Sequence, residues 1–174
     1  MNIFAIGNGT LASQILLAAT LWCIGLFFAA GQGPSEPKFA ELLPKDTAQL
    51  DQQRALIEGV VKQRYGSSLT RTTKDLTVLQ RLIDDSVFKK SQTYELQSLG
   101  VAFGDVLSSA LTLHWVMITD EYGTDPTFRY KRTSVNVNAL TMISKRVERG
   151  ERVSLSELLR VTREQLTNAD QKFR

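Results

Sequence analysis

The side chains suited to acid–base chemistry lie close together in the second half of the sequence. His114 is the single histidine, so any imidazole that transfers protons or binds a metal must be this one. Asp105, Asp120, Glu121 and Asp125 lie near it along the chain. Two carboxylates at a fixed separation can divide acid and base roles, as they do in glycoside hydrolases. The chemistry that these residue types indicate is therefore hydrolysis.

The spacing of the same residues favours structural roles. Asp120 and Glu121 are adjacent, and adjacent side chains of an extended chain point to opposite faces. Asp125 precedes Pro126, which is typical of a turn. We expect His114 to be packed and hydrogen bonded within a strand, and the acids to serve turns and helix caps.

Sequence motifs of enzymes and metal sites are absent. The chain has no HExxH zinc motif, no GxSxG nucleophile motif and no phosphate-binding loop. We therefore predict no catalytic residue, no metal site and no cofactor, and favour a protein that is not an enzyme. The alternative is a hydrolase that uses Asp105, His114, Asp120 or Glu121.

Basic side chains form the predicted binding surface. A first group lies on one predicted strand and a second group around the next helix. With one aromatic residue, the candidates are Tyr122, Arg129, Lys131, Arg132, Lys145, Arg146 and Arg149. Docked together, they would present a positive face to an acidic protein or to lipid headgroups. The alternative is an ordinary solvated surface, because Glu148, Glu151 and Glu157 are interspersed among them.

The composition limits the class of protein. The 174 residues are enough for one ordinary domain, and the formal net charge is only +3. A nucleic-acid-binding protein usually carries a larger and more segregated basic excess, so no nucleic-acid partner is expected. The single cysteine, Cys23, lies in an apolar N-terminal segment. The rest of the chain therefore has no disulfide and no thiol nucleophile.

The N-terminal segment is typical of a membrane helix. Residues 1–35 contain no charged side chain, and the mostly apolar stretch from Leu11 to Ala30 would span about 30 Å as a helix. We expect residues 1–31 to anchor the protein in the bacterial inner membrane, with the domain in the periplasm. The alternatives are a signal peptide cleaved near Gly31 and a buried helix. Lys38 and Lys45 favour the opposite, cytoplasmic orientation.

The remaining sequence predicts a linker over 32–45 and one α+β domain over 46–174. Hydrophobic spacing and capping residues give three helices, then a small antiparallel sheet, then two helices. The predicted helices are 46–65, 72–85, 93–110, 139–150 and 154–166, and the predicted strands are 113–119, 127–132 and 135–138. Gly66 is expected to end the first helix, and the sequence EYGTDP (121–126) to form the turn between the first two strands.

Two glycines in the third helix predict a close approach. Gly100 and Gly104 are four residues apart, so they share one face of the helix. A glycine inside a helix costs about 0.5–1 kcal/mol relative to alanine. We expect this cost to be offset by a strand that packs directly against the helix, the one that carries Trp115.

Three stretches of the sequence resemble a known family. LGVAFGDVLSSAL, WVMITDEYGTDPTFRY and TMISKRVERGE are together similar to the bacterial family called domain of unknown function 3806. The resemblance extends from about Tyr94 to Leu159 and leaves the first two helices outside. It implies a bacterial source and a small α+β domain, and it implies no activity and no catalytic residues.

Taken together, these features predict a non-enzymatic protein-binding module of the bacterial envelope. The partner would contact the hairpin around residues 120–132 and the helix around residues 145–152. An immunity-like role and a scaffold role are both compatible with this prediction.

Overall fold

The computed structural model describes residues 36–172 of the chain. It has an α+β fold, with a four-stranded antiparallel sheet and helices before and after it. The predicted membrane segment, 11–30, lies outside the described residues. Among the helices of residues 36–172, none combines the length and the apolar composition that crossing a bilayer needs.

The sheet contains its strands in the order of the sequence. They are β1 (Lys38–Ala40), β2 (His114–Asp120), β3 (Gly123–Arg129) and β4 (Asn136–Val137). β1 lies within residues 32–45, which the sequence analysis treats as a linker. Three residues are too few to display the alternation by which a strand is recognised, and β1 is held by its pairing with β2.

The hairpin between β2 and β3 is tighter than predicted. Asp120 pairs with Gly123, so the turn consists of residues 121–122 alone. Asp125 and Pro126 therefore lie in β3, and their predicted role in the turn is wrong. Proline lacks a backbone N–H and fits where a strand has a free side. β4 pairs only with the last two residues of β3, which leaves that side of Pro126 without a strand among the described residues.

Residues 36–172 also form six α-helices. The long helix that follows residue 92 lies at the centre of the core, and its residues 98–107 are all buried. Gly66 ends the first helix in a left-handed conformation (φ 64°), which confirms the predicted C-terminus. The predicted helix 139–150 is two short helices that meet at Ile143. The helices are α1 (Pro44–Tyr65), α2 (Leu76–Asp84), α3 (Thr93–Leu111), α4 (Ala139–Met142), α5 (Ser144–Glu148) and α6 (Leu155–Lys172).

The two glycines of α3 face different neighbours. Gly104 lies against the indole of Trp115, which confirms the predicted close approach of β2. Gly100 instead lies against the backbone of α4, so the strand does not account for both glycines. On the sheet, Trp115 packs on its cross-strand partner Phe128, with ring centroids 4.1 Å apart. This pair forms part of the apolar contact between the sheet and the helices.

Candidate functional site

A basic concavity lies at the end of the sheet where β2 begins and β3 ends. His114 and Arg129 are cross-strand partners there. Beyond Arg129, the chain turns through residues 130–135 before β4. The concavity has a volume of about 740 Å³. It is lined by β1 and the residue after it, the C-terminal end of α3, the start of β2 and this turn: Phe39, Ala40, Glu41, Leu111, Thr112, His114, Val116, Arg129, Tyr130, Lys131 and Arg132.

Arg129 organises the rim of the basic concavity. Its Nε donates a hydrogen bond to the carbonyl oxygen of Thr133 (2.8 Å), and Nη2 donates one to that of Arg132 (3.0 Å). The guanidinium carbon also lies 4.5 Å from the centre of the Phe39 ring, within the range of a cation–π contact. Arg129 therefore holds the turn in place and fixes the backbone from which Arg132 projects.

The rest of the rim is cationic and exposed. Lys131 adopts a left-handed backbone (φ 52°), and its ammonium lies 5.0 Å from the ring centre of Tyr130. The Arg132 side chain makes no hydrogen bond or ion pair with another described residue, so its donors face solvent. Glu41 is the carboxylate of the lining, and it opposes three basic side chains. Arg132 thus adds an unpaired positive charge to the rim.

His114 contributes to this rim, contrary to the expectation that it is packed. It is exposed to solvent, and its imidazole makes no hydrogen bond with another described residue. Its neighbour Trp115 faces α3, and adjacent side chains of a strand point to opposite faces, so His114 points away from that helix. The half-buried Val116 lies two residues further along the same face and forms part of an apolar floor.

The second group of predicted basic residues lies elsewhere. Lys145, Arg146 and Arg149 line a separate, smaller depression of about 300 Å³. Arg146 donates to the carbonyl oxygen of Met142 (2.6 Å), and Arg149 binds both carboxylate oxygens of Glu151 at 2.5 and 3.1 Å. The hydrogen bond from Arg149 lowers the pKa of Glu151. The single positive face of the sequence analysis is therefore two surfaces, and the charge of Arg149 is compensated locally.

Tyr122 does not belong to the basic concavity. It lies at the tip of the β2–β3 hairpin with 87% of its surface exposed, and its backbone N–H donates to Asp120. The tip is separated from His114 by the length of β2, about 20 Å at the usual rise per residue of a strand. The structure therefore does not bring Tyr122 together with Arg129, Lys131 and Arg132, because it lies at the opposite end of the hairpin.

The candidate hydrolase residues do not converge. Asp105 is buried between α3 and α1, His114 lies at the start of β2, and Asp120 and Glu121 lie at the hairpin tip. Asp105 accepts hydrogen bonds from Arg54 Nε (2.7 Å), Arg54 Nη2 (2.8 Å) and Trp115 Nε1 (3.1 Å). Over residues 36–172, no three His, Cys, Asp or Glu side chains are grouped in a way that could hold a metal ion.

Arg54 is the residue of this cluster that the sequence analysis missed. The pairing with Asp105 raises the pKa of Arg54, mainly through the hydrogen bonds between the two side chains. The two residues are 51 positions apart, so no local pattern reveals the pair. The sequence contains one indication of the pair: Arg54 lies next to the apolar stripe of α1 that contains Leu50 and Ile57. A charge at such a position needs a partner inside the fold.

Comparisons with known proteins place part of the chain in a family. Residues 75–158 match a family model described as "Domain of unknown function (DUF3806)". The match begins at Asp75 and therefore includes α2, which the resemblance had left outside, while α1 precedes it. No curated protein matches the chain.

The fold is similar to that of a solved structure. A crystal structure of a protein from Bacteroides thetaiotaomicron superimposes with a TM-score of 0.67 at 14% sequence identity. The alignment covers 75% of this chain and 48% of that one, so the present chain matches about half the length of its structural neighbour. At this identity, the similarity concerns the fold alone.

Proposed function

We propose, from the premise that residues 75–158 belong to the DUF3806 family, that this chain is a non-enzymatic binding module that recognises an acidic protein through the basic concavity. The observation that carries the proposal is the arrangement of Arg129, Lys131 and Arg132 around an apolar floor. A carboxylate would approach the cationic rim, and an adjacent apolar side chain would contact Phe39 and Val116. Such a mixture of apolar surface and well-placed charge is typical of protein recognition sites.

The shape of the site favours a protein over a membrane surface as the partner. A bilayer is broad and cannot enter a cleft, whereas a protruding loop or an extended segment can. The free donors of Arg132 suit a carboxylate, because a guanidinium binds the two carboxylate oxygens in parallel. The second depression has less free charge, since Arg149 is paired with Glu151.

The cellular location remains as proposed from the sequence. The uncharged, apolar stretch from Leu11 to Ala30 supports an anchor in the bacterial inner membrane, with the domain in the periplasm. Cleavage near Gly31 would release the domain into the periplasm instead. Fractionation of the native host, followed by intact mass measurement, distinguishes an anchor from a cleaved signal peptide. An anchored protein keeps its full length and is found in the membrane pellet. A soluble species that begins near Gln32 indicates a signal peptide.

Binding is tested with a peptide probe and the full-length protein in nanodiscs of neutral phosphatidylcholine. The probe is a fluorescein-labelled peptide of alternating leucine and glutamate, followed by fluorescence anisotropy. We expect Arg132→Glu to weaken its binding by at least about tenfold, since a free cation at the rim becomes a repelling anion. A peptide of alternating leucine and lysine should not bind.

The matched control is Arg149→Glu, which changes the net charge by the same amount on the other basic surface. We expect it to leave the affinity within about twofold, because rim charges act locally at physiological salt. Equal losses for the two variants would mean that the peptide follows the overall charge of the protein. That result, or tight binding to Arg132→Glu, would refute the basic concavity as the binding site.

A further inference from the structure

A second cavity, distinct from the basic concavity, lies between α2, α3 and α5. Its volume is about 470 Å³, within the range of cavities that hold small ligands. Leu82, Leu96 and Leu99 are almost completely buried and form its floor. Phe88 and Val147 are half-buried and form its walls. All of its lining residues belong to the segment 75–158.

The mouth of this cavity is positively charged. Lys89 and Lys90 are exposed there, and neither ammonium makes a hydrogen bond or an ion pair with another described residue. Glu151 also lies at the mouth, but Arg149 occupies both of its carboxylate oxygens. The carboxylate of the lining is therefore already paired, and the charge of the two lysines is left for a ligand.

Gly150 keeps one of these lysines at the rim. A Cβ at this position would lie 2.9 Å from the Nζ atom of Lys90, so the absence of a side chain leaves room for the ammonium. The backbone of Gly150 is left-handed (φ 74°), a conformation that other residues rarely adopt. The residue that follows α5 and its C-cap thus provides both the turn and the space beside the Lys90 ammonium.

We infer that this cavity binds a small amphiphile, a linear aliphatic chain that ends in a carboxylate. The chain would lie against the leucine floor, where removal of apolar surface from water drives binding. The carboxylate would stay at the mouth, paired with Lys89 and Lys90. An alcohol of the same length lacks the charge, and an alkylammonium ion would be repelled by the lysines.

Hexanoate is the probe, because it dissolves without forming micelles and partitions only weakly into the lipid bilayer. The full-length protein in phosphatidylcholine nanodiscs is titrated with it and followed by methyl NMR. We expect the shifts to concentrate on Ile83, Leu96 and Val147. In Lys89→Glu/Lys90→Glu, the affinity should fall by at least about tenfold. The control Lys62→Glu/Lys74→Glu changes the charge equally at exposed positions outside the cavity and should stay within about twofold.

A second variant tests the cavity itself. Val147→Phe places a larger side chain in the wall and should abolish the methyl shifts caused by hexanoate. If this variant fails to fold, the lysine variants and the comparison of hexanoate with hexanol test the inference. Binding of hexanol as tight as that of hexanoate, or no shifts up to about 10 mM hexanoate, would overturn the inference. Arg132→Glu should leave hexanoate binding unchanged, so this experiment and the peptide experiment can fail independently.

Discussion

A Cβ built on Gly104 would lie 2.5 Å from Cζ2 of Trp115, so the indole fills the space that a side chain on this face of α3 would need. The indole is held from two other directions. Its Nε1 donates to Asp105, and its ring packs on Phe128. Because Trp115 belongs to β2, this contact fixes the distance between the central helix and the sheet whose end forms the basic concavity.

Gly104→Leu should therefore destabilise the protein. We expect a loss of about 1–3 kcal/mol in the free energy of unfolding, since the leucine would displace the Trp115 indole from its contacts with Asp105 and Phe128. Chemical denaturation of the full chain measures it. The control is Gly59→Ala in α1, where no atom lies within 4 Å of the added Cβ. That variant should gain about 0.5–1 kcal/mol from helix propensity. An unchanged stability of Gly104→Leu would contradict the packing.

Gly100→Ala tests the contact between α3 and α4. Its Cβ would lie 2.5 Å from the carbonyl oxygen of Leu140 and 2.6 Å from that of Ala139. These are backbone atoms, which cannot rotate away as a side chain can, so a single methyl group should cost about 1–3 kcal/mol. Hydrogen exchange should show faster opening of α4 in this variant. A gain in stability, as expected for Gly59→Ala, would show that α4 moves freely.

Asp105→Asn should weaken the junction of α1 with α3. The Arg54 side chain is only 16% exposed, and it would lose the carboxylate that compensates its charge. Breaking a fully buried pair costs about 3–5 kcal/mol, and partial exposure lowers our expectation to about 2–4 kcal/mol. Asp51→Asn is the control, because Asp51 also pairs with Arg54 but is 60% exposed. It should change stability by at most about 0.5 kcal/mol. Equal effects would refute a special role for Asp105.

These contacts explain what the sequence could and could not predict. The helices were predictable, because hydrophobic spacing and Gly66 are local signals. The basic rim was predictable in part, since Arg129, Lys131 and Arg132 are close in sequence. The pairing of Arg54 with Asp105 depends on tertiary packing, which local patterns do not encode. The exposure of His114 depends on which face of the sheet the helices cover, and a strand that is apolar at nearly every position, as β2 is, does not show which face that is.

Gln53→Met should stabilise the protein. Gln53 is 1% exposed on the buried face of α1, and its Oε1 has no hydrogen-bond partner among the described residues. A buried polar group without a partner costs about 1–3 kcal/mol, whereas methionine has a similar length and needs no partner. We expect a gain of about 1 kcal/mol in thermal or chemical unfolding. Gln63→Met, at an exposed position of the same helix, should have little effect. A destabilised Gln53→Met would indicate that the amide is satisfied by water.

Arg129→Lys separates the two ways in which an arginine can serve the basic concavity. The lysine keeps the charge but cannot make both hydrogen bonds to the carbonyl oxygens of Thr133 and Arg132. If Arg129 acts by holding the rim, backbone hydrogen exchange over residues 130–135 should accelerate, and the acidic peptide should bind more weakly. Arg132→Lys is the control, because Arg132 makes no such bonds and its charge is also kept. It should leave exchange unchanged, although it also weakens binding, since lysine cannot pair with both carboxylate oxygens in parallel. If the two variants behave alike in both measurements, then Arg129 contributes only its charge, and the rim does not depend on it for its shape.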